Sequence, residues 1–389
     1  SIYDHRYVHC DVLVVGAGIS GILAAKNAAK NNLKTLLVDE KNELGGSTLY
    51  QNREFNKIDN QSSSDWLKKE IQELKNIKNL EIKTRTSVAA YHGYNYLLAR
   101  ENLTDHLEKK DKEGKVRQRL LNIRTKKVIL ATGALERPLI FNNNDRPGIM
   151  LSSAVKKYAN FYGVVSGKKN VFFTNNDSAY ESALCLHNKG IKVEAIIDIR
   201  ENSNSKIVKA VEEASITIHW SHTIVDTKGY KRLNGVSAMK LSNDGLSVTG
   251  DKINISCDCL GVAGGWTPTV HLFTQSGGKL SFDENNKVFL PNKYSTEQLS
   301  IGSCNGDFKI KEFINNLSIN LKYFLKIDKI DFENISVESE EENSKRNIWL
   351  LPSDKPIGKT KPFVDYQNDA TAKDIKLALR EGFRSIEHV

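Results

Sequence analysis

Six residues near the start of the chain, Gly16-Ala17-Gly18-Ile19-Ser20-Gly21, set three glycines at the spacing G-x-G-x-x-G. The pattern alone is a weak signal. Here it follows a short apolar run, Asp11 to Val15, and opens an Ala-rich stretch from Ile19 to Asn31, the context that gives it weight. Each glycine has its own task in such a turn. Gly16 permits the tight reversal, Gly18 lets backbone approach a pyrophosphate, and Gly21 lets helix and strand pack closely. N–H groups and the partial positive dipole at the helix start then meet phosphate charge. Glu40 lies at the end of the next apolar run, and with its neighbours Asp39 and Lys41 it is a candidate cofactor-binding residue. Its carboxylate suits adenosine ribose hydroxyls and repels a 2′-phosphate, which favours NAD or FAD over NADP. Gly45-Gly46-Ser47-Thr48 offers further backbone N–H groups and hydroxyls, and Ala131-Thr132-Gly133 ends a strand where glycine allows another close approach.

These residues need a frame. Asp11–Val15, the glycine turn, the helical stretch and Thr35–Asp39 make a βαβ unit of about 30 residues. A helix is expected from about Ser64, then strands at Leu80–Lys83, Tyr94–Arg100, Gln118–Arg124 and Lys127–Ala131. A second block starts near Leu151, with helix 153–162, strand 170–174, helix 178–189 and strand 192–198. The expected fold class is α/β, with two Rossmann-like dinucleotide-binding domains, the second inserted in the first, plus a small helical C-terminal segment. Residues 1–150 and 256–330 form the NAD-binding domain and 151–255 the second. Residues 331–389 form a linker and an amphipathic helix, Thr371 to Glu387, with Ile375, Leu379, Phe383 and Ile386 at helical spacing.

Composition excludes several classes of function. No run of about 18 apolar residues occurs, so no membrane-spanning helix is expected. The charge of +9 comes from 56 Lys+Arg against 47 Asp+Glu, interspersed along the 389 residues, with no basic stripe alternating with aromatics, so no nucleic-acid partner is expected. The run Glu340-Glu341-Glu342 reads as a solvated surface. Five scattered cysteines and no visible secretory signal point to a reduced, cytoplasmic protein. A chain that opens on Ser and stops inside a helical pattern reads as an excerpt of a longer polypeptide.

The glycine motifs, with Ala131-Thr132-Gly133-Ala134 and Gly265-Trp266-Thr267-Pro268, resemble the two-dinucleotide-binding flavoprotein superfamily, the fold of glutathione reductase and thioredoxin reductase. That resemblance implies backbone contact between Val88 and adenine. The departures are informative. Ser47 to Tyr50 contains no Cys and Cys185 stands alone, so dithiol chemistry has no residues to run on. The second glycine turn is replaced by Thr174-Asn175-Asn176-Asp177-Ser178, so a second dinucleotide is not expected. Ser303 stands where the superfamily places an Asp for the flavin ribityl chain, which ranks NAD ahead of FAD in the first site.

Ala131–Pro138, Asn144–Leu151, Thr174–Tyr180, Gly264–Phe273 and the tail from Phe363 are similar to the alpha subunit of heterotetrameric sarcosine oxidase. The resemblance implies an oxidoreductase subunit acting on the CH–NH bond of amines. It implies NAD on this chain, FAD and amine oxidation on the beta subunit, and FMN between alpha and beta. Gamma and delta subunits complete the assembly, with the one-carbon unit passed to tetrahydrofolate or released as formaldehyde. No Cys lies between Phe363 and Asp369, so the iron–sulfur centre of related proline dehydrogenases has no ligands here. The alternatives are a self-sufficient FAD-dependent NAD(P)H oxidoreductase, a subunit of an opine or proline dehydrogenase, or a scaffold with a vestigial nucleotide fold. Cys257 and Cys259 read as buried thiols, Arg137 and Arg146 as structural ion-pair partners, and His271 as a core or interface histidine. No metal site is expected, and no catalytic acid, base or nucleophile can be named.

Overall fold

The computed structural model describes residues 2–51, 56–332, 335–338 and 346–388; the acidic run at 340–342 lies outside them. The chain forms two compact units, residues 1–135 with 267–339 and residues 136–266 with 340–389. The sequence reading sets the domain boundaries near 150, 256 and 330.

In the first unit, Val12, Leu13, Val14 and Val15 are buried in strand β1 (Ile2–Val15). After the glycine turn, α1 (Ile19–Lys30) lays Ile22, Leu23, Ala24, Ala25 and Ala28 into the core. Its small residues let the helix lie close to the sheet. Then follow β2 (Thr35–Val38), α2 (Ser63–Leu74), β3 (Leu80–Lys83), β4 (Thr86–His92), β5 (Tyr96–Asn102) and β6 (Val116–Leu130). The sheet order is β3-β2-β1-β6-β5-β4. The β3, β2, β1 and β6 pairings are parallel, and β4, β5 and β6 form an antiparallel meander.

The second unit runs through β7 (Ile149–Leu151), α3 (Ser152–Phe161), β8 (Lys169–Thr174), α4 (Ser178–Asn188), β9 (Lys192–Asp198), α5 (Lys206–Glu213) and β10 (Ile218–Trp220). An antiparallel sheet of β11 (His222–Lys228), β12 (Gly235–Leu241) and β13 (Val248–Ile255) precedes β14 (Cys259–Ala263). The parallel order is β7-β14-β8-β9-β10. Residues 267–339 return to the first unit, where β15 (Gln298–Ser300) pairs with β6 and α6 (Ile310–Leu325) packs on the α1 core. The α/β class with two Rossmann-like sheets, the second interrupting the first in sequence, is therefore observed.

Four local expectations are corrected. The C-terminal helix α7 spans Ala372–Arg380 and does not reach Glu387, because Gly382 takes φ 96°, which ends the helix. Phe383 and Ile386 beyond it are exposed. The runs at 118–124 and 127–131 are one strand, β6. Tyr94 and Asn95 have φ of 56° and 49°, so they form the turn before β5 and are not part of it. Finally, β1 begins at Ile2, upstream of the expected Asp11, through residues too exposed to show an apolar pattern.

Candidate dinucleotide site

Two of the three motif glycines are fixed by packing. A Cβ on Gly16, which has φ 100°, would lie 2.3 Å from the Ala131 carbonyl oxygen, and one on Gly21 would lie 1.8 Å from that of Gly16. The turn, the α1 start and the β6 end are thus pressed backbone to backbone. Gly18 is different: a Cβ there meets no heavy atom within 4 Å. It is also the N-cap of α1, where no side chain makes a capping bond and no acid occupies the first turn. This leaves the positive end of a 12-residue helix facing open space, the arrangement that receives a pyrophosphate.

The surrounding residues converge on that space. The Gly45 N–H donates to the Ala17 carbonyl at 2.7 Å, and a Cβ on Gly46 would lie 3.0 Å from the Gly18 Cα. Thr48 is buried in the short helical turn that follows, and Ser47 is exposed. On the other side, Gly302 lies against Ser20, with Ser303 beside it in the turn after β15; a Cβ on Gly302 would lie 2.4 Å from the Ser20 Oγ. Ile19 is buried in the α1 core. Asp307, the acid that follows this turn, accepts from Asn316 at 3.0 Å.

Asp39 and Glu40 divide the acidic work. The Asp39 carboxylate accepts the Ala17 N–H at 2.6 Å and the Lys41 N–H at 2.8 Å, clamping the strand end to the glycine turn. Burial raises its pKa against those bonds. Glu40 is exposed and pairs with the Lys41 ammonium at 2.6 Å. An exposed pair of this kind is worth about 1 kcal/mol at most, so Glu40 is free to turn to a ribose. The clamp role of Asp39 went unread because its partner lies in the glycine turn and nothing in local sequence announces it. Thr132 is also committed, donating to the Thr269 carbonyl at 2.7 Å, while Gly133 (φ 71°) accepts from the Thr269 N–H at 2.9 Å. Val88 lies within β4, its side chain packed on the core with Leu97 and Ala99; the start of β4 is tied to the acidic strand end by the Thr86 N–H, which donates to the Asp39 carbonyl at 2.8 Å.

In the second unit, the corresponding turn is filled by side chains. The Asn176 Oδ1 accepts the Ser178 N–H at 2.9 Å at the start of α4, and the Asn176 Nδ2 donates to the Ala263 carbonyl. The Asn175 Nδ2 donates to the Arg346 carbonyl, and Arg346 in turn donates to the carbonyls of Ile199 and Ser242. Behind them Arg200, buried, bridges Asp198 at 2.7 Å and Asp177 at 2.8 Å. A phosphate there would displace the Asn176 cap and face two carboxylates.

Glu136, unremarked in the sequence beyond its place in the Ala131–Pro138 run, is a buried carboxyl at the start of α3. One oxygen accepts the Ser153 N–H at 2.7 Å; the other has no partner among the described residues. Burial pushes its pKa from 4.5 up to about 7, against the Ser153 bonds and the charge of Lys156. Unfolded, the group ionises near 4.5; folded, it holds its proton to about 7. The folded chain therefore binds more protons across that window, and its stability falls as pH rises through it, by about 3 kcal/mol at about 1.36 kcal/mol per pH unit. Glu136→Gln keeps an acceptor for Ser153 and should flatten this slope, so melting temperatures between pH 4.5 and 7 should decline less than in the parent. An unchanged slope would place the titration elsewhere.

Arg137 stacks on Trp349 at 4.3 Å, and Arg146 bonds the Thr227 hydroxyl at 3.1 Å and the Gly229 carbonyl. All five cysteines are unpaired and buried, and burial pushes the Cys257 and Cys259 thiols up to about 12. Among the described residues no group of three or more His, Cys, Asp or Glu is placed to hold a metal, and no helix is long and apolar enough to cross a membrane.

With this geometry in hand, comparison with known proteins is informative. The profile of the pyridine nucleotide-disulphide oxidoreductase family matches residues 10–301, and that of the sarcosine oxidase A3 domain matches residues 359–389. The chain is 35% identical over its whole length to sarcosine oxidase subunit alpha of Corynebacterium sp. (strain P-1), and 32% identical over 99% of its length to that of Rhizobium meliloti (strain 1021). It spans only 40% and 37% of those relatives. Among solved structures, L-proline dehydrogenase from P. horikoshii superposes with a TM-score of 0.67 at 20% identity, covering 97% of this chain and 68% of that one. Thioredoxin reductase from T. acidophilum gives 0.60 at 17%, covering 82% of this chain and 97% of that one. Those two likenesses concern the fold alone.

Proposed function

The chain belongs to the pyridine nucleotide-disulphide oxidoreductase family, and on that premise we propose that it is the NAD-binding alpha subunit of a heterotetrameric sarcosine oxidase. The observation that carries this reading is the contrast between the two βαβ turns. One is bare backbone at an uncapped helix start, and the other is occupied by Asn176, Asp177 and Arg200. A chain with one dinucleotide seat has no place to set a nicotinamide donor beside a flavin of its own. That disfavours a self-sufficient NAD(P)H oxidoreductase and leaves redox turnover to partner chains. The likeness to sarcosine oxidase alpha subunits over the full length supports the choice of reaction.

In this reading the α1 N–H groups and Gly18 hold the pyrophosphate, Gly46 closes over it, and Glu40 takes the adenosine ribose hydroxyls and excludes a 2′-phosphate. Ser303 presents a hydroxyl where a flavin site has an acid, which favours NAD over FAD. Bound NAD supplies a hydride-accepting ring that turnover does not use. Sarcosine, oxygen and water go to glycine, hydrogen peroxide and formaldehyde, or to methylene-tetrahydrofolate when tetrahydrofolate takes the one-carbon unit. Amine oxidation falls to the FAD-bearing beta subunit, with FMN at the alpha–beta interface and gamma and delta completing the assembly.

Denaturing the purified chain should release NAD in stoichiometric amount and no flavin, read by chromatography with ultraviolet and visible detection. Stoichiometric FAD would reverse the cofactor ranking, and an empty protein would overturn the cofactor-bearing reading. Co-purification from source cells should bring partners carrying FAD and FMN.

A further inference from the structure

The long first strand has one satisfied side and one open side. β1 pairs with β6 from Ile2 to Val15, but on its other side β2 pairs only with Val12–Val15. Among the described residues no strand covers the outer edge of residues 2–9, and alternate N–H and C=O groups along a parallel-paired strand point outward. The edge is only partly protected: Asp4 and Arg6 are charged and a register shift falls at Ile2/Tyr3, but Ile2 to His9 contains no Pro or Gly, and Tyr3 and Tyr7 are 59% and 70% exposed. At the end of this edge, where β2 begins, an open cavity of about 410 Å³ is lined by His9, Lys34, Arg124 and Lys126. Asp11 lines the same cavity and is engaged by the Lys126 ammonium at 2.8 Å and the Lys34 N–H at 2.9 Å.

We propose that this edge and cavity are a docking site for an extended segment of a partner subunit that adds a strand to β1 and places a carboxylate side chain among His9, Lys34 and Arg124. Unpaired backbone specifies a strand as occupant, and the cationic lining specifies its charge. A second copy of this chain fits poorly. Antiparallel self-pairing centred on Tyr7 would set His5 of one copy against His9 of the other and leave the Lys34 and Arg124 side chains of both copies without a counter-charge. Asp4, the acid within this edge, is bonded by Arg119 at 2.8 and 3.0 Å. The donor's identity as a subunit rests on the oxidase reading; the chemistry of the site does not.

The test uses hydrogen exchange of the peptide covering residues 2–11, with a blocked hexapeptide of alternating Thr and Val carrying one central Glu as probe, and its Gln and Lys counterparts as controls. The Glu peptide at millimolar concentration should slow exchange of the β1 amides by about fivefold or more. The Gln and Lys peptides should do less, and about 0.5 M salt should narrow the difference. Lys34→Glu with Arg124→Glu, both at exposed positions, should reverse the preference towards the Lys peptide. Equal slowing by all three peptides, or none, overturns the proposal, as does protection that grows with the concentration of the chain alone. In the assembled oxidase the same amides should be protected. An active assembly whose β1 amides exchange as in the isolated chain would overturn the docking site while leaving the proposed function standing.

Discussion

Gly18→Val should empty the dinucleotide site while leaving its unit folded. Gly18 has φ −72° and ψ −176°, an extended conformation open to any residue, and no heavy atom lies within 4 Å of its missing Cβ. The folding cost is confined to a poorer N-cap, about 1 kcal/mol. The ligand cost is larger. The branched side chain stands where the pyrophosphate must approach the α1 N–H groups, and losing charge-assisted hydrogen bonds of about 1.5–3 kcal/mol each lowers affinity by about 10-fold or more for one bond and about 100-fold or more for two. Gly21→Ala is the contrasting variant. Its Cβ would stand 1.8 Å from the Gly16 oxygen, so the helix must move off the sheet and folding suffers first. Nucleotide released on denaturation, read beside circular dichroism, separates the two: folded and empty for Gly18→Val, poorly folded for Gly21→Ala. Full nucleotide content in folded Gly18→Val would refute the site.

Why one glycine reads so differently from its neighbours bears on what the sequence disclosed. The G-x-G-x-x-G spacing, the Ala-rich helix and the apolar runs of β1 and β2 are local signals, and each maps onto an observed element. The replaced second turn was equally legible, because absent glycines show directly in Thr174–Ser178. What stayed hidden was pairing over distance. Asp39 reads only as a candidate cofactor contact beside Glu40, and nothing nearby in sequence announces its bond to the Ala17 N–H; the bond from the Thr132 hydroxyl to the Thr269 carbonyl is equally remote. Arg346, which closes over the second turn, is far from Asn175 in sequence and carries no motif. The upstream half of β1 was missed for a physical reason too. An exposed edge lacks the apolar alternation by which strands are recognised. The helix at the C-terminus was overextended because apolar spacing carried past Gly382, whose backbone conformation the side-chain pattern does not encode.

Arg200→Met should be among the most damaging single changes in the second unit. The Arg200 guanidinium donates to both carboxylate oxygens of Asp198 and to Asp177, and the Tyr180 hydroxyl donates to Asp198 at 2.7 Å. Asp198 is fully buried, and burial already raises its pKa against the attraction of Arg200. Removing the cation leaves a buried carboxylate without its counter-charge, a loss of about 3–5 kcal/mol. The sign of its pH dependence follows. Asp198 in the variant holds its proton to higher pH than in the unfolded chain, so the unfolded state ionises first as pH rises, and the variant's deficit is largest near neutrality and shrinks on acidification. Arg200→Met combined with Asp198→Asn should regain part of the loss, because the buried charge goes with its partner. Chemical denaturation at two pH values measures each outcome, and a pH-independent deficit in the single variant would show that packing, not charge, holds Arg200 in place.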